Sequence, residues 1–220
     1  MRAKQRMGIQ PNIRNKGTTI IEMVVCFALL SIFISSAAMI ITSVTNLYYQ
    51  VKGETFSNQV SDIIMERIAK EVEGAKYDDT YDFAAGGNPV IDDKGDYITL
   101  YNRSDTKVKI FAKDEELMVE YAEIQNSNPS KAREATVWKY DDGVYNQYRI
   151  KQLRFVPGDK ISLAGSYGIN LSDYGVNAAD LEYNQNVVVV FLTINSPRYG
   201  TYRTFRPIKM YYVPETSTTP

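Results

Sequence analysis

No histidine occurs among the 220 residues, and there is one cysteine, Cys26. The first absence excludes His-dependent triads, imidazole general bases and nearly every catalytic zinc arrangement. The second excludes an intramolecular disulfide and any cysteine-based zinc site. Two stretches also lack charge of one sign or both. Residues 1–17 contain no acid, and residues 23–51, 29 in a row, contain no charge at all. The composition as a whole, 44% hydrophobic and 23% charged, is too apolar for a disordered chain and too polar for a multi-pass membrane protein.

What is present sharpens this asymmetry. Arg2, Lys4, Arg6, Arg14 and Lys16 are five of the 25 basic residues, which leaves 20 against 26 acids in residues 18–220. A basic stub on an acidic body reads as an address label. The hydrocarbon layer takes about 20 helical residues at ~1.5 Å rise, so residues 23–44 suffice to span it. Tyr48 and Tyr49 then fall where an interfacial aromatic belt sits. The basic side stays inside, so the expected topology is a single crossing with a cytoplasmic N-terminus and an extracellular body.

A secretory signal would have its apolar core at 23–34 and a cleavage site among Ser35-Ser36-Ala37-Ala38, but Met39-Ile40-Ile41 carry the run beyond the usual ~7–15 residues. A signal anchor explains everything except Glu22. A carboxylate entering a membrane span is costly, roughly 2.5–3.5 kcal/mol for Asp at the centre and less near the interface. One account of it is local: Thr19-Ile20-Ile21-Glu22 fits a capping box, and a negative charge suits a helix N-terminus.

The whole pattern, a basic leader, then Gly17, Thr18, three residues, Glu22 and a long apolar helix, resembles the N-terminal signal of type IV prepilins and type II secretion pseudopilins. The resemblance covers residues 1–50. It implies a membrane aspartyl peptidase that cuts after Gly17 and methylates the new N-terminus at Thr18; the family most often carries Phe where Thr18 stands. The new amine is a cation at neutral pH, four residues before Glu22 and on the same helix face. Within one subunit that pair lowers the cost of carrying Glu22 in lipid. In a stacked filament, as the resemblance implies, Glu22 would instead meet the amine of a neighbouring subunit, and a buried charge satisfied only by a partner sets register.

Beyond the span, Val60, Ile63, Ile64, Ile68 and Val72 recur at helical spacing among charged residues, predicting an amphipathic continuation to about Gly74 with Gly53 as a soft point. One helix over about 19–75 would be roughly 85 Å long, and its second apolar stripe reads as core. The period then becomes two. Strands are expected at 97–101, 107–113 and 117–124, then a hairpin of 136–140 and 144–155 turning on Asp141-Asp142-Gly143. Pro157-Gly158 should end that strand, and 159–186 reads as a long loop. A central strand is expected at 187–194, and a last strand at 202–213 that Pro207 demotes to an edge or a bulge.

The expected fold class is α+β, pilin-like: a long N-terminal helix packed on an antiparallel β-sheet. Its expected parts are a leader (1–17), an assembly helix (18–50), an amphipathic continuation (51–76), a β-rich domain (77–213) and a tail (214–220). Asp92, Asp93 and Asp96 cluster around Gly95, either a solvated turn or a weak calcium candidate; the expectation is no metal and no cofactor. Arg198, Tyr199, Arg203 and Arg206 lie in an acid-free basic–aromatic stretch, either an ordinary exposed strand or a nucleic-acid patch. Cys26 reads as a small apolar residue of the span.

The expected function is a non-enzymatic structural subunit, a minor pilin or pseudopilin of a surface filament. The resemblance implies as partners the prepilin peptidase/methylase, other pilin or pseudopilin subunits, a pilus assembly platform and membrane lipid. The alternatives are a Sec-exported or signal-anchored extracellular binding domain, and a single-pass enzyme limited to Ser-Lys or paired-carboxylate chemistry.

Overall fold

The computed structural model describes residues 19–75, 89–102, 106–122, 135–177, 181, 183–184 and 186–211. The leader, Gly17, Thr18 and the tail lie outside them. Two compact units are present, residues 1–48 and 49–220. Helix α1, Ile20–Glu73, runs through 54 residues without a break. In the first unit it is apolar on every side: large side chains from Ile20 (85%) to Leu30 (51%) are exposed around the whole circumference. Its hydroxyls are satisfied locally, since Ser31, Ser35 and Ser36 donate to the carbonyls of Phe27, Ser31 and Ile32 at 2.8–2.9 Å. That lets polar side chains sit in an apolar segment without an unpaired donor.

In the second unit α1 has a buried face and a polar face. Val60, Ile64, Ile68 and Val72 are 0–2% exposed, as the helical spacing predicts, and Met65 and Ala69 join them; Ile63 is turned outward. The strands that cover this face are antiparallel and form two sheets. Strands β1 (Val90–Ile91), β2 (Tyr97–Tyr101), β3 (Lys107–Lys113), β4 (Glu116–Ala122) and β5 (Thr136–Lys139) follow one another in one sheet. After a short helix α2 (Asp142–Tyr145), strands β6 (Arg149–Pro157), β7 (Val187–Ser196) and β8 (Gly200–Lys209) make the other. The architecture is α+β, with a long N-terminal helix followed by an antiparallel β domain.

Strand alternation builds one core from both sheets. Ile98, Leu100, Val108, Ile110, Leu117 and Val119 meet the α1 face together with Val188, Val190, Leu192 and Ile194. The other side of β7, Val187, Val189 and Phe191, packs with Ile161, Ala164 and Ile169 in a second cluster. Strand β7 is therefore central and buried on both faces, and β8, which carries Pro207, is an edge; both agree with the sequence. The second cluster corrects the long-loop expectation for 159–186. Residues Gly158–Tyr167 and Leu171–Tyr174 form 3-10 turns that cap the sheet.

The expected hairpin at 136–155 is also corrected. Asp141 accepts the Gly143 N–H and caps α2, so Asp-Gly starts a helical turn instead of reversing a strand. Strand β5 pairs with β4 and β6 with β7. In α2, Tyr145 is fully buried, and its hydroxyl accepts the Leu117 N–H at 2.8 Å. The two sheets are joined through β6: Phe155 N–H donates to Gly95 O at 2.9 Å and Ile150 N–H to Glu115 O at 2.8 Å.

Burial pushes the phenols of Tyr121, Tyr140, Tyr145, Tyr148, Tyr167 and Tyr174 above their ordinary range, with a hydrogen bond to Glu71 adding to the rise at Tyr121. The folded chain thus keeps protons that the unfolded chain releases near pH ~10. Their stabilisation is complete below that pH and is lost as pH rises through the raised folded values. Denaturant titrations from about pH 9 to 12 should show stability falling above ~10, less steeply in Tyr121→Phe. An unchanged slope in that variant would refute the assignment.

Candidate functional site

The candidate site is the start of α1 and the apolar segment that follows. Thr19 and Glu22 close a reciprocal capping box: Thr19 N–H donates to Glu22 Oε2 and Glu22 N–H to Thr19 Oγ1, both at 3.3 Å. The backbone reinforces it, with the Glu22 and Met23 N–H groups reaching Thr19 O at 3.0 and 3.2 Å. This pairs two of the donors that a helix start leaves unsatisfied. Glu22 is exposed, like its apolar neighbours Ile21 (74%) and Met23 (53%). Cys26 is exposed too. By length and composition α1 is a candidate membrane span or signal anchor near the N-terminus.

The weak calcium candidates do not converge. Asp92 accepts the Lys94 N–H at 3.3 Å and its carbonyl takes the Gly95 N–H at 2.8 Å, while Asp96 pairs with Arg154. Among the described residues no group of three or more carboxylates or thiols is placed to hold a metal. The turn at Gly95, with φ +71°, is instead the bracket that holds β6.

The basic–aromatic stretch is divided by its own strand period. In β8, Tyr202 and Ile208 face the α1 side and Phe205 the 3-10 turns, so Arg206 and Arg203 point to opposite sides. Arg206 reaches Asp62 of α1 at 3.6 Å. Arg203 lines a hollow of about 300 Å³ with Lys151, Arg154 and Tyr174. Arg198 and Tyr199, in the β7–β8 turn, stay together and lie against the beginning of the second unit's helix.

Two groupings there were missed in the sequence. Gly53 is a tight contact instead of a soft point: a Cβ on it would stand 2.9 Å from Tyr199 Cδ1. Tyr148, 1% exposed, donates to Gly53 O at 2.9 Å and stacks on Tyr199 at 6.2 Å. Farther along α1, Arg67 and Glu71 pair at 3.0 Å. The Tyr121 hydroxyl donates to Glu71 at 2.6 Å and accepts from Arg67, whose guanidinium lies 4.3 Å over the Trp138 ring. Apart from the i,i+4 pair of Arg67 and Glu71, these contacts join residues 50 or more apart, and no local spacing announces them.

Compared with known proteins, the chain matches no protein-family model, and no curated protein matches it in sequence.

Proposed function

We propose that this chain is a structural subunit, a minor pilin or pseudopilin, of a type IV pilus-like filament. It would be inserted with its leader inside, cut after Gly17, methylated at Thr18 and drawn into the filament through its apolar helix and Glu22. The observation that carries this reading is the division of α1: one continuous helix is apolar and uncovered on all sides through residue 48, then buried along one stripe in its own β domain. A span alone needs no such continuation, whereas a subunit that packs through its helix needs a rigid body attached to it. The partners of this reading are the peptidase/methylase, other subunits, the assembly platform and lipid.

The capping box favours a second reading, a signal-anchored extracellular domain, because it gives Glu22 a local use. N-terminal sequencing with intact mass, on membrane-associated protein from the native host, separates the two. A chain beginning at Thr18 with one added methyl is the expected result. An intact leader would replace the filament reading with the anchor, and a start near Ala38 with a secreted domain.

A further inference from the structure

We propose that Arg198 and the tyrosines around it form a seat for the headgroup phosphates of anionic lipid, holding the β domain on the membrane surface. This rests on the reading of α1 as a membrane span. The uncharged run ends at Val51, and Lys52 is the first charge after it. Tyr49 and Lys52 therefore stand at the water interface of any bilayer that the run crosses. The fold brings the β7–β8 turn, some 150 residues later in the chain, to this level of the helix. The Arg198 guanidinium lies 4.8 Å over the Tyr49 ring and 5.5 Å from that of Tyr199.

Stacking uses the faces of a guanidinium and leaves its in-plane N–H donors for a phosphate. No carboxylate of a described residue pairs with Arg198 in the fold. Arg198 is exposed, and the hollow beside it, about 350 Å³, is lined by Tyr49, Tyr148 and Tyr199 and by a single acid, Glu54. Tyrosine and arginine together are the side chains that settle at the headgroup level, an apolar body below and a polar tip in the wet layer. Continuity with the span selects lipid over a soluble anion. Tyr148 and Gly53 hold the turn against the helix beside Tyr49.

The test uses the full chain in nanodiscs of phosphatidylcholine, with or without phosphatidylglycerol. Amide exchange at Arg198, Tyr199 and Gly200 should slow about fivefold in the anionic discs, what one cation gains at such a surface, about 1 kcal/mol. Arg198→Ala should remove the difference while β7 stays protected, and Arg198→Lys should restore part of it. Equal exchange in both discs overturns the proposal, as does a difference that survives Arg198→Ala. Slowing produced equally by inorganic phosphate over phosphatidylcholine discs overturns lipid as the occupant. A chain that does not co-elute with discs overturns the span reading itself, an outcome visible before any exchange is measured.

Discussion

If the chain is a filament subunit, Glu22→Gln is expected to remove it from filaments while leaving its helix start and its membrane retention intact. The capping box needs an oxygen that accepts the Thr19 N–H, and a glutamine side chain supplies one. The charge is what the substitution takes away. If Glu22 balances the amine created at Thr18 in a neighbouring subunit, the variant leaves that cation unpaired in an apolar surrounding, at a cost of about 3–5 kcal/mol. That corresponds to a loss of incorporation of a hundredfold or more, at about 1.4 kcal/mol per factor of ten. The measurement is the ratio of chain in sheared surface filaments to chain in membranes, wild type beside variant. Normal incorporation of the variant would leave Glu22 with its cap role only, whereas a wild-type chain absent from the filaments would favour the anchored domain.

The largest effect on stability should come from Gly95→Ala. Its φ of +71° lies where an L side chain is strained, and the added Cβ would stand 2.6 Å from the carbonyl oxygen of Phe155 and 3.1 Å from Tyr167 Cδ1. Backbone on a buried strand cannot yield as a flexible side chain would. The left-handed backbone costs about 1–2 kcal/mol and overpacking about 1–3. Any relief would stretch the Phe155-to-Gly95 hydrogen bond that joins the sheets. A loss of roughly 3 kcal/mol is expected in the urea midpoint of the detergent-solubilised full chain. Lys94→Ala, exposed in the same turn, should stay within about 0.5 kcal/mol. A Gly95→Ala chain as stable as wild type would show that the turn does not hold the two sheets together.

The parts of the fold that are legible in the sequence are those specified by a repeating pattern. The stripe Val60, Ile64, Ile68, Val72 carries its period through to the end of α1. The apolar β-branched run at 187–194 can be satisfied only with cover on both faces. Pro157 and Pro207 mark a strand end and an edge because each lacks a ladder donor.

What was misread turns on partners distant in sequence. Asp141-Asp142-Gly143 can turn a hairpin or cap a helix, and the sheet partition chose between them by giving β5 and β6 different neighbours. Ile161, Ala164 and Ile169 look like loop residues until β7 offers its second face. Arg198, Tyr199, Arg203 and Arg206 seem one patch in a line of letters, yet an odd spacing in a strand sends Arg203 and Arg206 to opposite sides. For the candidate site, the capping partners were legible because they are three residues apart. Arg198 over Tyr49 was not, because only the β7–β8 turn brings them together.

The chain has one tryptophan, and the cluster around it has a spectroscopic consequence. Trp138 is held beneath the Arg67 guanidinium on β5, so its emission reports on the docking of the five-stranded sheet onto α1 and is silent about the 3-10 turns over β7. Far-ultraviolet dichroism weighs every element instead. Coincident melting by the two signals would mean that both hydrophobic clusters dissolve as one cooperative unit. A tryptophan transition lagging the dichroism would identify the 3-10 cover as a separate foldon that opens first, uncovering Phe191 while the helix remains docked.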